Sequence, residues 1–172
     1  DDATLRRGRA SVNKIWKNKL SVLMGDFILS KALINMIDLK DFEALGQISK
    51  TAENLSAGEI LQMERSFSGS MTEEVYFDMI SQKTASLIAT SCELGAITTS
   101  KKIVDRTATN AFGENLGIAF QIKDDLFDLL GKESDTGKNS GGDVKRNMMT
   151  LPLIYSKNNM NRKEYGALKK LL

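Results

Sequence analysis

At 172 residues the chain has the length of one ordinary domain, and no repeat, linker or low-complexity segment divides it. Its 24 basic and 22 acidic residues are interleaved to a net charge of +2, which does not describe a nucleic-acid surface. Histidine is absent, which excludes Ser-His-Asp and Cys-His nucleophilic machinery and any His-ligated zinc.

The single cysteine, Cys92, excludes an internal disulfide, reads as a small buried hydrophobe, and fits a reducing, cytoplasmic setting. No apolar run approaches the roughly 18 residues of a membrane span and no signal peptide opens the chain, so no stable membrane insertion is expected.

Apolar residues three and four apart predict helices throughout, with one proline, Pro152, near the end. Trp16 to Ile37 reads as a first long helix, Asp38–Asp41 as a break, and Phe42 to Met63 as a second. Ser70 with Glu73 three residues on forms a candidate capping box. It opens a third helix through Val75, Ile80, Leu87 and Leu94 to Gly95. Ser100 is a candidate cap for a fourth, through Ile103 to Phe112, short or continuous with a helix ending near Leu130. Residues 133–147 carry Gly, Ser, Asn and Lys without hydrophobic period and predict a loop. Further helices begin at Leu151 and Glu164. The pattern is an all-α bundle forming a single domain over residues 1–172.

Within the last long helix, Asp124, Asp125 and Asp128 form a DDxxD cluster. Residues four apart share a helix face, so Asp124 and Asp128 project together with Asp125 to one side. A lone DDxxD is more often a solvated stripe. Here Ile118, Phe120, Ile122, Leu126, Phe127, Leu129 and Leu130 flank it, which argues for a helix packed in a core with its charge aimed into a cavity. Clustered carboxylates there need a cation, and hard oxygen ligands suit Mg²⁺ shared with substrate phosphates.

Lys138, beside Gly137, Gly141 and Gly142, suits a loop closing over phosphate, though alone it is ordinary loop decoration. Lys83-Thr84 lies mid-helix next to small Ala85 and Ala89, and a wet face and a cavity wall both remain open. Arg6-Arg7 reads as a charged chain end or as a bidentate phosphate contact. The eight methionines read mostly as core filler.

Together, LRRGRASVN, GDFILSKAL, GEILQ, KTASLIATSCELGA, AFQIKDDLFDLLG, TGKNSGGD and TLPLIY resemble the trans-isoprenyl diphosphate synthase (polyprenyl synthetase) family over nearly the whole chain. The resemblance implies long, mostly antiparallel helices around a deep central cavity. It also implies a homodimer that condenses isopentenyl diphosphate with an allylic diphosphate. Asp124, Asp125 and Asp128 then match the second aspartate-rich motif, which binds Mg²⁺, with Mn²⁺ as an alternative. Lys83, Thr84 and Lys138 match residues at the allylic diphosphate, and Arg6 and Arg7 the arginine pair, one on each diphosphate. Phe120 and Gln121 match a pair close to the reacting carbons, and Gln62 a cavity-lining position.

Two departures stand out. The family's first aspartate motif ends five residues before the arginine pair. Asp1 occupies that last metal-binding position with no aspartates ahead of it, so an incomplete chain is expected at both ends. Met148 stands where the family usually carries a lysine, which should weaken diphosphate binding unless Lys145 or Arg146 substitutes. The implied chemistry is ionisation, condensation and elimination without a protein nucleophile. The rivals are another class I terpenoid enzyme and a non-catalytic or regulatory subunit of a heteromeric synthase.

Overall fold

The computed structural model describes residues 5–6, 9–68, 70–99, 102–131, 148–161, 163–164 and 166. Six α-helices dominate them: α1 (Val12–Asp38), α2 (Phe42–Ser68), α3 (Glu73–Ile80), α4 (Ser86–Thr99), α5 (Ile103–Leu130) and α6 (Leu151–Asn159). A π-helical turn, Ser81–Ala85, joins α3 to α4. Among the described residues, strand pairing is limited to β1 (Leu5–Arg6) and β2 (Arg9–Ala10), an antiparallel ribbon with Leu5 opposite Ala10. The all-α expectation holds. The predicted loop 133–147 and nearly all of the helix predicted from Glu164 lie outside the described residues.

Local chemistry explains the boundaries. Lys40 sits in the left-handed region at φ 55°. There Asp41 N–H reaches Met36 O and Lys40 N–H reaches Ile37 O, each at 2.9 Å. This Schellman ending stops α1. Asp41 then caps α2, its Oδ1 accepting from Ala44 N–H at 3.0 Å. The cap of α3 is Thr72 rather than Ser70: its hydroxyl accepts from Val75 N–H at 3.3 Å. Glu73 and Glu74 therefore occupy the first turn, where a carboxylate meets the positive end of the helix dipole. Likewise α5 begins after Lys102, with no side-chain cap, and runs unbroken for 28 residues; Ser100 lies outside the described residues.

Helix α5 meets the π turn and α4 along a seam of small residues. A Cβ on Gly117 would stand 2.5 Å from Ala85 Cα, and one on Gly113 2.7 Å from Ala89 Cα. Only glycine permits that backbone approach. Polar ties knit α2 to the pair: Glu93 accepts from Gln47 at 3.0 Å and from Asn110 at 2.7 Å. Arg106 pairs with Glu43 at 2.6 Å. The apolar centre is Met71, Tyr76, Met79, Ile80 and Ile154, with Ile118 and Ile122 packed against it.

Two expectations about burial need correction. Of the residues flanking the aspartates, only Ile118 and Ile122 pack on that centre, while Phe120, Leu126, Phe127, Leu129 and Leu130 are exposed. The reason is that α5 uses one face for its neighbours and leaves the other open. The second concerns α1, which has no buried residue and exposes Trp16, Leu23, Phe27, Ile28 and Ile34 among others. Asp26 and Lys31 interrupt its apolar letters, yet its mean hydropathy still reaches 1.6 over 18 residues, long and apolar enough to cross a membrane by length and composition. The expectation that no run approaches that length does not hold.

Candidate active site

The π turn is what sets Lys83 and Thr84 at a cavity wall. Single π turns inside α-helices are frequent at functional sites. Opposite lies Gly58 of α2, where an added Cβ would come within 2.6 Å of Lys83 N and 2.9 Å of Lys83 Cα. α2 and the π turn thus touch backbone to backbone, and α2 contributes side chains at the same level. Lys83 Nζ donates to Gln62 Oε1 and pairs with Glu59 at 2.7 Å. Gln62 Nε2 in turn donates to Met148 Sδ at 3.4 Å.

A second set of contacts runs from the π turn into α5. Thr84 Oγ1 donates to Gln121 Oε1 at 2.9 Å. Gln121 Nε2 donates to Asp125 Oδ1 at 2.8 Å, and Tyr76 OH donates to Asp125 Oδ2 at 2.6 Å. Asp125 is 4% exposed. Burial pushes its carboxyl above the ordinary value of 3.8, the bonds from Tyr76 and Gln121 work against that shift, and the neighbouring Asp124 and Asp128 charges add to it.

These residues line a cavity of about 330 Å³ whose wall includes Gln62, Lys83, Thr84, Gln121, Asp124 and Asp125. Met71, Met79, Met148 and Met149 also line it, so four of the methionines read as core filler are cavity wall. Asp128 lies one turn further along α5 and is half-buried. Phe120 is 59% exposed and does not line the cavity. Arg6 belongs to the ribbon, while Asp1, Arg7, Lys138, Lys145 and Arg146 lie outside the described residues. Cys92 is half-buried and free.

Two participants were not singled out in the sequence. Glu59 lies three residues before Gln62 and therefore on the same helix face, the spacing that would have found it. Tyr76 is a buried tyrosine, 1% exposed, and a buried phenol requires a polar partner. The donor chemistry also bears on a metal. Among the described residues no three acidic, cysteine or histidine side chains converge as a ready-made metal cage. One or two carboxylates on a cavity wall that also carries a lysine fit Mg²⁺, which completes its shell with water and substrate phosphate oxygens.

The polyprenyl synthetase family profile matches residues 1–172. The chain belongs to the polyprenyl synthetase family. Its fold matches the crystal structure of a decaprenyl diphosphate synthase from Rhodobacter capsulatus at TM-score 0.90 and 33% identity, covering 99% of this chain and 53% of that one. A polyprenyl synthase from Caulobacter crescentus, solved with calcium and isoprenyl diphosphate, matches at TM-score 0.91 and 33% identity over 98% of this chain and 51% of that one. In sequence the chain is 35% identical to solanesyl diphosphate synthase 3 of Arabidopsis thaliana, over 91% of its own length and 37% of the relative's. It is 36% identical to heptaprenyl diphosphate synthase component 2 of Geobacillus stearothermophilus, over 91% and 49%. As a polyprenyl synthetase, the chain spans half or less of the curated relatives named here.

Proposed function

We propose that this polyprenyl synthetase is a trans-prenyltransferase that joins isopentenyl diphosphate to an allylic diphosphate, giving a longer polyprenyl diphosphate. The observation that carries the reading is one cavity wall uniting Lys83, Thr84 and Gln121 with Asp124 of the aspartate cluster. Asp124, Asp125 and Asp128, with Asp1, are the candidate ligands for Mg²⁺ or Mn²⁺. Each oxygen of Asp125 keeps a second lone pair beyond its bond to Tyr76 or Gln121. These carboxylates would hold the metal, which when bound would supply charge neutralisation for a departing diphosphate.

The chain's own groups do the rest. Lys83 and Lys138 grip the allylic diphosphate, Lys83 exchanging its contacts with Glu59 and Gln62 for phosphate oxygens. Arg6 acts on the allylic side and Arg7 holds isopentenyl diphosphate. Thr84 and Gln121 present oxygens toward the allylic carbons, and Gln62 lines the wall beside them. Met79, Ile80 and Met149 keep water from the cation. The proton lost in the last step passes to the released diphosphate, in agreement with a chain that has no histidine. We propose Phe120 as a substrate contact only from its place beside Gln121.

The exposed apolar face of α1 supports a homodimer, and the single cysteine supports a reducing, cytoplasmic setting. A second reading, a subunit of a heteromeric synthase, is favoured by Met148 on the cavity wall and by the likeness to heptaprenyl synthase component 2. Calorimetry with Mg²⁺ and inorganic pyrophosphate tests the site itself. Magnesium-dependent binding that is lost in Asp124→Ala is expected, and metal-independent binding would sink the assignment.

A further inference from the structure

Tyr76 belongs to the cavity wall but has no role assigned above, and at 1% exposure it is deeply buried. Its hydroxyl donates to Asp125 Oδ2 at 2.6 Å. Asp125 Oδ1 is filled by Gln121 Nε2 at 2.8 Å. The consequence lies in which way an amide points. Asp125 accepts at both oxygens, so the NH₂ end of Gln121 faces it and the amide oxygen turns the other way. That oxygen receives the Thr84 hydroxyl proton at 2.9 Å. With its proton committed to Gln121, Thr84 Oγ1 keeps its lone pairs for the cavity, whose wall it forms.

We propose that Tyr76 is a positioning residue: by occupying one oxygen of Asp125 it fixes the Gln121 amide, and through it the Thr84 hydroxyl, in one hydrogen-bond direction. The inference rests on the prenyltransferase reading for its catalytic consequence but not for its geometry. Without the phenol, Asp125 loses the bond that fills Oδ2, the carboxylate is free to rotate, and Gln121 samples both amide orientations. Thr84 would then turn its proton toward the cavity for part of the time. An electron-deficient allylic carbon is repelled by that proton and attracted by the lone pairs. The cost falls on the chemical step and on the allylic side, and spares isopentenyl diphosphate, which Arg7 holds.

The test uses Tyr76→Phe in the full chain, with two readouts. The first is the side-chain amide NMR signal of Gln121, assigned by its loss in Gln121→Glu and followed without substrate. In the parent the two amide protons should be well separated and slow to exchange with solvent. In Tyr76→Phe they should collapse toward the position of a free glutamine. The second is steady-state kinetics, where kcat should fall about tenfold with KM for isopentenyl diphosphate unchanged within a factor of two.

An unmoved Gln121 signal overturns the proposal. So does a variant that loses thermal stability but keeps kcat, which is a purely structural tyrosine. If the amide signal moves as expected while neither protein condenses the diphosphates, the positioning geometry stands and the prenyltransferase reading falls. Should Tyr76→Phe fold too poorly to measure, 3-fluorotyrosine at 76 keeps ring and hydroxyl while altering donor strength. It should displace the same Gln121 signal, and its failure to do so would equally overturn the inference.

Discussion

Asp124 and Asp125 are neighbours in sequence with opposite burdens. Asp124 faces the cavity, whereas Asp125 is buried and bonded at both oxygens. Asp124→Ala should therefore abolish magnesium-dependent activity while leaving helicity unchanged, as circular dichroism would show; an unfolded variant would make Asp124 structural. Asp125 answers to pH instead. Burial raises its carboxyl above 3.8, so ionising this group is harder in the folded chain than in the unfolded one. The stability this group supplies is complete below that value and declines as the pH rises through the folded-state value. Asp125→Asn does not titrate. In urea unfolding, the parent's stability relative to this variant should fall across the mildly acidic range and then level off. A parent that gains on the variant with rising pH would show that the bonds from Tyr76 and Gln121 outweigh burial. Spacing made the aspartates legible as a cluster, and a lysine beside small residues hinted at Lys83. What spacing does not carry is the partner of a buried group. Tyr76 and Asp125 are 49 positions apart, and only the packing of α3 on α5 brings them together.

At the scale of the elements, the close approach of α2 to the π turn makes two glycines of one helix behave oppositely. Gly46 has nothing within 4 Å of an added Cβ, whereas at Gly58 the Cβ would meet Lys83 backbone atoms at 2.6 and 2.9 Å. In an open helical position, glycine to alanine gains up to about 1 kcal/mol. Gly46→Ala should therefore raise the unfolding free energy by about that much. Backbone does not swing aside as a flexible side chain does, so Gly58→Ala should lower it by about 1–3 kcal/mol, the usual cost of overpacking. It should also weaken pyrophosphate binding through Lys83; equal effects at the two positions in denaturant unfolding would contradict the contact. Helices α1, α2 and α5 were readable because their apolar period is long. The π turn was not, since Ser81–Ala85 carries no letter pattern that distinguishes it from an α-helix, and the partner it packs on, Gly58, lies far away in sequence. Thr72 displaced Ser70 as a cap for a related reason: two hydroxyls competed for one helix start, and the backbone chose between them.

Over the whole molecule, the described core is concentrated around Tyr76, Met79 and Ile80, and α1 stands apart with its apolar side chains exposed. Leu23 and Phe27, at 53% and 58% exposure, lie one helical turn apart on it. An exposed stripe of this kind favours association. If it is the homodimer surface, the parent should sediment as a dimer and Leu23→Glu with Phe27→Glu as a monomer. A monomeric parent would remove the homodimer, and a dimeric double variant would move the interface elsewhere. The bundle as a class was legible from periodicity, because helices are written in local spacing. The cavity was not, because it exists only where α2, the π turn, α5 and the segment before α6 converge. The central claim, that this convergence serves prenyl transfer, is tested most directly by incubating the full chain with radiolabelled isopentenyl diphosphate, an allylic diphosphate and Mg²⁺. Label entering longer, acid-labile polyprenyl diphosphates, and disappearing on chelation or in Asp124→Ala, is the predicted result. No incorporation with any allylic primer would contradict the account.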